Sequence, residues 1–158
     1  TISVFTEHKK EAKVAYAVWI LNRMLEVGQM GERGSILVVD ADEIILRAFS
    51  RVLKRSGYST DTAKTGEEAL TKLEKSNYDV ALIDNRLSDV NGIDLLTKMS
   101  KSTPHLVKII ITGDPNSRCR RYAEENGADA YLKKPIKPED LLRVIAEELK
   151  IKNTRREH

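Results

Sequence analysis

Tyr78-Asp-Val-Ala-Leu-Ile-Asp84 carries four consecutive apolar residues, Val80 to Ile83, into a carboxylate. Without in-out alternation, a strand here is buried on both faces, the habit of a parallel sheet covered by helices on each side. Related runs recur along the chain. Ile36-Leu-Val-Val39 is followed by Asp40, Val107-Lys-Ile-Ile-Ile111 by Thr112, and Ala130-Tyr-Leu-Lys-Lys-Pro135 places Lys134 after a fourth run. Two carboxylates, a hydroxyl and an ammonium, each ending a strand-like run, are the parts of a phosphoryl-accepting site.

Between the runs lie amphipathic stretches with helix punctuation. Thr65-Gly-Glu-Glu68 is a capping-box start, and Asp114-Pro115 and Lys137-Pro138 set proline at a first helical position. Gly57, Asn77 and Gly127 stand where helices should stop. The pattern predicts strands at 36–39, 58–61, 79–83, 107–111 and 129–132, and helices at 43–55, 66–75, 91–100, 115–125 and 138–149. Five βα units over about 115 residues suit one doubly wound α/β domain, whose ligands bind outside the carboxyl ends of the strands. Asp40, Asp84, Thr112 and Lys134 all fall at that edge.

Composition narrows the function classes. The chain has 158 residues, 41% hydrophobic and 32% charged, which suits one domain of 35–150 with an N-terminal extension of 1–34 and a basic tail of 151–158. Its net charge of +3 is concentrated at the end, since residues 35–149 hold 18 basic and 19 acidic groups. Direct nucleic-acid binding is therefore not expected, and no globular segment follows residue 150 to supply it. Cys119 is the single cysteine, which rules out an intramolecular disulfide and a cysteine-based zinc site and fits a reducing, cytoplasmic setting. The longest apolar run, Val14 to Leu21, falls short of the ~20 residues that span a bilayer.

Residues 1–34 stand outside the alternation. Lys9 to Val27 reads as a helix apolar over more than half its circumference, with Trp19 and Tyr16 among its residues, and such a helix needs a partner surface. It could pack on its own domain, be the tail of a preceding one, or form a homodimer through residues 9–27. Gln29 to Gly34 reads as a flexible joint. A chain that begins with Thr is compatible with a processed terminus and with an excised fragment.

Taken in order, Ile36-Leu-Val-Val-Asp40, Tyr78 to Asp84, Asp89-Val-Asn-Gly92, Ile109-Ile-Ile-Thr-Gly113 and Ala130 to Pro135 resemble the receiver domain of two-component response regulators, over roughly residues 35–150. The resemblance implies a flavodoxin-like fold with strand order 2-1-3-4-5. It implies that the domain is a signalling module and not an enzyme, apart from phosphorylation and dephosphorylation of itself. Asp84 would be the phosphoacceptor, charged by a histidine kinase or phosphotransfer protein. Mg²⁺ would be held by Asp40, Asp84 and the backbone carbonyl of Arg86, Thr112 would donate its hydroxyl to the phosphoryl group, and Lys134 would pair with it. Gly113 would leave room for the phosphate. Thr112 and Tyr131 would then form a switch that reshapes the face of the last two helices for a downstream protein. Tyr131 is equally consistent with a plain core aromatic. Arg118, Arg120 and Arg121 read either as a patch for an acidic partner or as a solvated face.

The chemistry explains why these residue types occur together. A carboxylate and a phosphoryl donor are both anionic, so the site must supply cations and donors where charge collects on the transferring oxygens. Two departures from the family pattern stand out. Ala41 replaces the second of two acidic residues after the first strand, and its methyl group cannot ligate Mg²⁺, so metal affinity should fall. Asp42 either reaches in to compensate or caps the following helix. Ser88 replaces a common proline and loosens the loop after Asp84. Two further functions follow from these residues: a phosphorylation-independent pseudo-receiver acting as a binding module, and a haloacid-dehalogenase-like phosphatase using Asp40 as nucleophile and Asp42 as acid/base. Against the phosphatase, Ile44 stands where that family favours Thr or Val, and no paired acidic motif follows Lys134.

Overall fold

The computed structural model describes residues 10–19, 33–113 and 117–158. Strands β1 (Ser35–Val39), β2 (Ser59–Ala63), β3 (Val80–Asp84), β4 (Val107–Thr112) and β5 (Ala130–Lys133) alternate with helices α1 (Glu43–Arg55), α2 (Gly66–Lys75), α3 (Gly92–Ser102), α4 (Ser117–Glu125) and α5 (Pro138–Arg156). They build one parallel sheet in the order β2-β1-β3-β4-β5, as the sequence predicts. A separate helical stretch covers 10–19; the rest of the segment 9–27 lies outside the described residues, as do Asp114 and Pro115.

The unbroken apolar runs are buried on both faces, as strands covered by helices must be. Leu37, Val39, Ala81, Ile83 and Ile110 point to one side, where they meet Ala69 of α2, Leu95, Leu96 and Met99 of α3 and Ala123 of α4. Ile36, Val38, Leu82, Ile109 and Ile111 point to the other, against Leu46 and Leu53 of α1 and Leu141 and Ile145 of α5. Alternate residues of one strand thus feed opposite layers, and the strand ends are fixed by both.

Several boundaries differ from the sequence reading, three of them for identifiable reasons. β2 begins at Ser59 and extends to Ala63, because Tyr58 N–H turns back to Leu53 O in the turn that closes α1 at Gly57, whose φ is +93°. β3 includes Asp84, which pairs with Ile111. α5 continues seven residues past the expected end at 149, so 151–156, expected as a basic tail, are helical. Lys152 Nζ donates to Leu106 O at 2.6 Å and lies 3.6 Å from Asp129, while Arg156 reaches His105 O at 3.4 Å. These cations tie the last turns to the loop before β4 and suit the negative end of a helix.

At α2 the Thr65 hydroxyl accepts from Glu68 N–H as the capping box predicts, and Glu68 reaches back to Lys64 N–H. Asp89, from the loop after β3, adds both of its oxygens to the backbone N–H groups of Gly66 and Glu67 at 2.9 and 3.0 Å. Those bonds hold its carboxyl below the usual range, the Gly66 contact being the largest cause. The loop that follows Asp84 is thereby anchored to the preceding helix, α2.

Candidate functional site

Parallel register brings the predicted residues level. Val39 pairs with Ile83, Asp84 with Ile111 and Thr112 with Lys133, so Asp40, Asp84, Thr112 and Lys134 emerge at one edge of adjacent strands. Lys134 is fixed by its backbone N–H, which donates to Thr112 O at 2.8 Å, and precedes a cis peptide bond to Pro135.

The ammonium of Lys134 sits between the two carboxylates. It lies 2.6 Å from Asp40 Oδ2 and 3.6 Å from Asp84 Oδ2. Asp40 is 3% exposed, Thr112 1% exposed, and the Asp84 side chain 13% exposed. Burial, and next the Asp40 charge, push the Asp84 carboxyl above its ordinary range, while Lys134 and the backbone N–H of Arg86 pull the other way. The phosphoacceptor candidate is thus a poorly hydrated carboxylate, which raises its reactivity toward an electrophile.

Both oxygens of Asp40 are engaged, since Oδ1 accepts from Asp42 N–H at 2.8 Å and Oδ2 from Lys134. Asp42 Oδ1 accepts from Ile44 N–H at 2.8 Å and its backbone is extended, so Asp42 is the N-cap of α1. Of the two roles open to it in the sequence, capping is the one it performs.

The donor set fits a magnesium ion held in part by water. Such an ion takes one or two protein carboxylates together with phosphate oxygens, a part that Asp40 and Asp84 on either side of Lys134 would fill, with the Arg86 carbonyl as the expected third ligand. No third carboxylate joins them: among the described residues no group of three or more His, Cys, Asp or Glu side chains is placed to hold a metal. Lys134 is the cation already in contact with both acids.

The loop between Asp84 and α3 is held closely. Arg86 and Asn91 form an antiparallel bridge, and Gly92 N–H donates to Asn85 O at 3.0 Å. A Cβ at Gly92 would collide with the Asp84 carbonyl and come within 2.8 Å of Asn85 Cα, so only glycine allows α3 to start this close to Asp84. Among the described residues, a Cβ at Gly113 would meet nothing within 4 Å. Tyr131 is half-buried and packs on the layer of Leu37, Ile83 and Ile110. In α4, Arg120 and Arg121 pair with Glu124 and Glu125 at 3.2 and 3.0 Å on the exposed surface.

Sequence reasoning assigned no role to Asn91, Gly92 and Asp89 beyond the family pattern, yet these three residues set the loop that carries the Arg86 carbonyl. Asn91 caps α3 through Ile93 N–H at 2.8 Å. An Asp-x-Asn-Gly string before an apolar run was the available signal.

Replacing Asp84 by Asn should stabilise the metal-free domain. With its pKa raised, Asp84 is protonated in both states below about pH 4; as pH rises through its folded value, ionisation removes stability that the neutral amide retains. Thermal melts in a chelator should show the variant higher at pH 7, with the gap closing on acidification. A gap that widens on acidification would reverse the sign assigned here.

Comparison with known proteins gives a consistent picture. The family model described as the response regulator receiver domain matches residues 36–146. The alginate biosynthesis transcriptional regulatory protein AlgB of Pseudomonas putida is 34% identical over 120 residues, covering 76% of this chain and 27% of that protein. The transcriptional regulatory protein ResD of Bacillus subtilis is 34% identical over 114 residues, covering 70% and 46%. The chain therefore spans less than half the length of these curated relatives. Among solved structures, a CheY-like receiver domain protein from Methanospirillum hungatei superposes with a TM-score of 0.75 at 37% identity, over 77% of this chain and 97% of that one. The BeF3-activated DrrB receiver domain gives 0.69 at 30%, over 74% and 97%.

Proposed function

Because this chain belongs to the response regulator receiver domain family, we propose that it accepts a phosphoryl group on Asp84 from a histidine kinase or phosphotransfer protein and signals through protein contacts. The observation that carries this reading is the Lys134 ammonium set 2.6 Å from Asp40 and 3.6 Å from Asp84, beside the buried Thr112. An Asp84 oxygen attacks the donor phosphorus, the donor's bond to that phosphorus breaks, and its electron pair leaves with the donor. Lys134 shifts its charge toward the arriving phosphoryl oxygens, and the Thr112 hydroxyl donates to one of them. Asp40, Asp84 and the Arg86 carbonyl would hold Mg²⁺, which when bound would supply the remaining positive charge. Ile44, 76% exposed in the first turn of α1, offers the donor protein an apolar foothold beside the site. Movement of Thr112 is passed through β4 and β5 to Tyr131 and so to a downstream partner. A cytoplasmic setting keeps Cys119 reduced; no helix among the described residues is long and apolar enough to cross a membrane.

Intact mass after incubation with acetyl phosphate and Mg²⁺ tests this. One added phosphoryl group on the native chain, and none on Asp84→Asn, is expected. No adduct on either, beside a receiver that labels, would favour the pseudo-receiver, for which Ala41 and the full engagement of Asp40 are the observations in support. Steady phosphate release dependent on Asp40 would favour the phosphatase, against which stands the use of Asp42 as a helix cap.

Self-association through residues 9–27 completes the proposal. In the described part of that segment Val14, Tyr16, Val18 and Trp19 are all about half exposed or more, with Tyr16 and Trp19 stacked at 6.1 Å. Sedimentation should show a dimer that Trp19→Ser and Tyr16→Ser together convert to monomer; a native monomer at high micromolar concentration would remove this part.

A further inference from the structure

The domain is nearly balanced in charge, yet one groove is not. Between α1 and the edge strand β2 lies a cleft of about 600 Å³, walled by Arg47, Arg51 and Lys54 of α1, by Lys64 beyond the end of β2, and by Lys72 of α2. Glu43 and Asp61 are the acidic residues lining it. Glu43 is shared between Arg47 and Lys64, at 3.2 Å each, on an exposed surface where such pairs exchange readily. Asp61 is taken by the Tyr78 hydroxyl at 2.6 Å. Arg51 and Lys54 carry no ion pair among the described residues.

The arrangement separates these cations from an ordinary solvated face. Arg47, Arg51 and Lys54 follow 4–3 spacing along one stripe of α1, so their charges are spread over about 10 Å of helix. Arg47 and Lys72 are matched within their own helices by Glu43 and Glu68, as Arg120 and Arg121 of α4 are by Glu124 and Glu125, so the groove differs from that face through Arg51 and Lys54. Among the described residues no aromatic lines the cleft to stack on a base, and the N-terminus of α1 is already capped by Asp42. A single phosphate calls for converging donors; charges strung along a groove call for carboxylates strung along a chain. The outward carbonyl of Thr62 on the edge strand is covered by the Lys72 ammonium, so contact is made through side chains and not by adding a strand.

We propose that the α1–β2 groove docks an acidic segment of a partner protein, whose Asp and Glu side chains pair with Arg51, Lys54 and their neighbours. This surface is independent of Asp84 and of whether the site takes a phosphoryl group.

A fluorescein-labelled peptide of five Glu-Ser repeats, titrated with the full chain at low salt, tests it. Binding is expected, with amide shifts concentrated at residues 47–54 and 60–64. Arg51→Glu with Lys54→Glu breaks no pair within the fold and should weaken binding at least tenfold, whereas Arg120→Glu with Arg121→Glu should leave it within about twofold. The proposal fails if the peptide does not bind at millimolar protein, or if both double variants weaken it equally, which would mark nonspecific attraction. It also fails if tripolyphosphate displaces the peptide with equal affinity and the same shifts, which would mark a small-anion site.

Discussion

Lys134→Met should destabilise the domain by about 3 kcal/mol and abolish phosphoryl uptake. Lys134 neutralises two carboxylates of which one, Asp40, is 3% exposed, and removing one member of a buried ionic group leaves the other uncompensated, at a typical cost of about 3–5 kcal/mol. The lower end applies because the Lys134 side chain keeps 23% of its surface in solvent. Urea denaturation would measure it. Coupling is expected as well: in an Asp40→Asn background the same lysine substitution should cost ~1–2 kcal/mol less, since the charge it stranded is gone. A loss under about 0.5 kcal/mol would mean that the cluster is solvated and that Lys134 does not hold it together.

Ala41→Asp should tighten Mg²⁺ binding at least tenfold, about 1.4 kcal/mol, and speed labelling by acetyl phosphate accordingly. Asp40 and Asp84, the two carboxylates proposed to hold the ion, both already contact Lys134. A third carboxylate at position 41 adds ligand charge without disturbing the Asp42 cap, whose bond to Ile44 N–H is made by a different residue. Without metal the same variant should be less stable than the native chain, because three acids would share one ammonium. The rise in melting temperature on adding Mg²⁺ reports both effects. Unchanged affinity would place residue 41 away from the cation and remove the explanation of why it matters.

Much of the fold is legible from three runs because burial on two faces leaves a one-dimensional trace: Ile36 to Val39, Val80 to Ile83 and Val107 to Ile111 have no polar break except Lys108. Even that lysine is 4% exposed, its ammonium donating to Leu106 O at 2.9 Å, with its pKa pushed down first by burial and then by Lys152. The bounds of β2 differ from the expected 58–61 because Ser-Thr-Asp-Thr-Ala is an edge strand with one face half open, and its polar pattern resembles a loop. The extra turns of α5 were missed because their stabilisation comes from Lys152 and Arg156 reaching carbonyls 46 and 51 residues away. Asp40, Asp84, Thr112 and Lys134 come together at one edge because each stands at the end of a strand and parallel register does the rest. What local sequence did not disclose was partnership: Asp40 is separated from Lys134 by 94 residues, and Asp89 from Gly66 by 23.

Borohydride trapping after acetyl phosphate treatment tests the central claim most directly, because hydride reduces an acyl phosphate to an alcohol and so marks the labelled carboxylate permanently. Peptide mapping should find homoserine in place of aspartate at residue 84 and nowhere else. Homoserine at residue 40, or no conversion at any aspartate while the phosphoryl mass is present, would contradict the assignment of Asp84 as the acceptor.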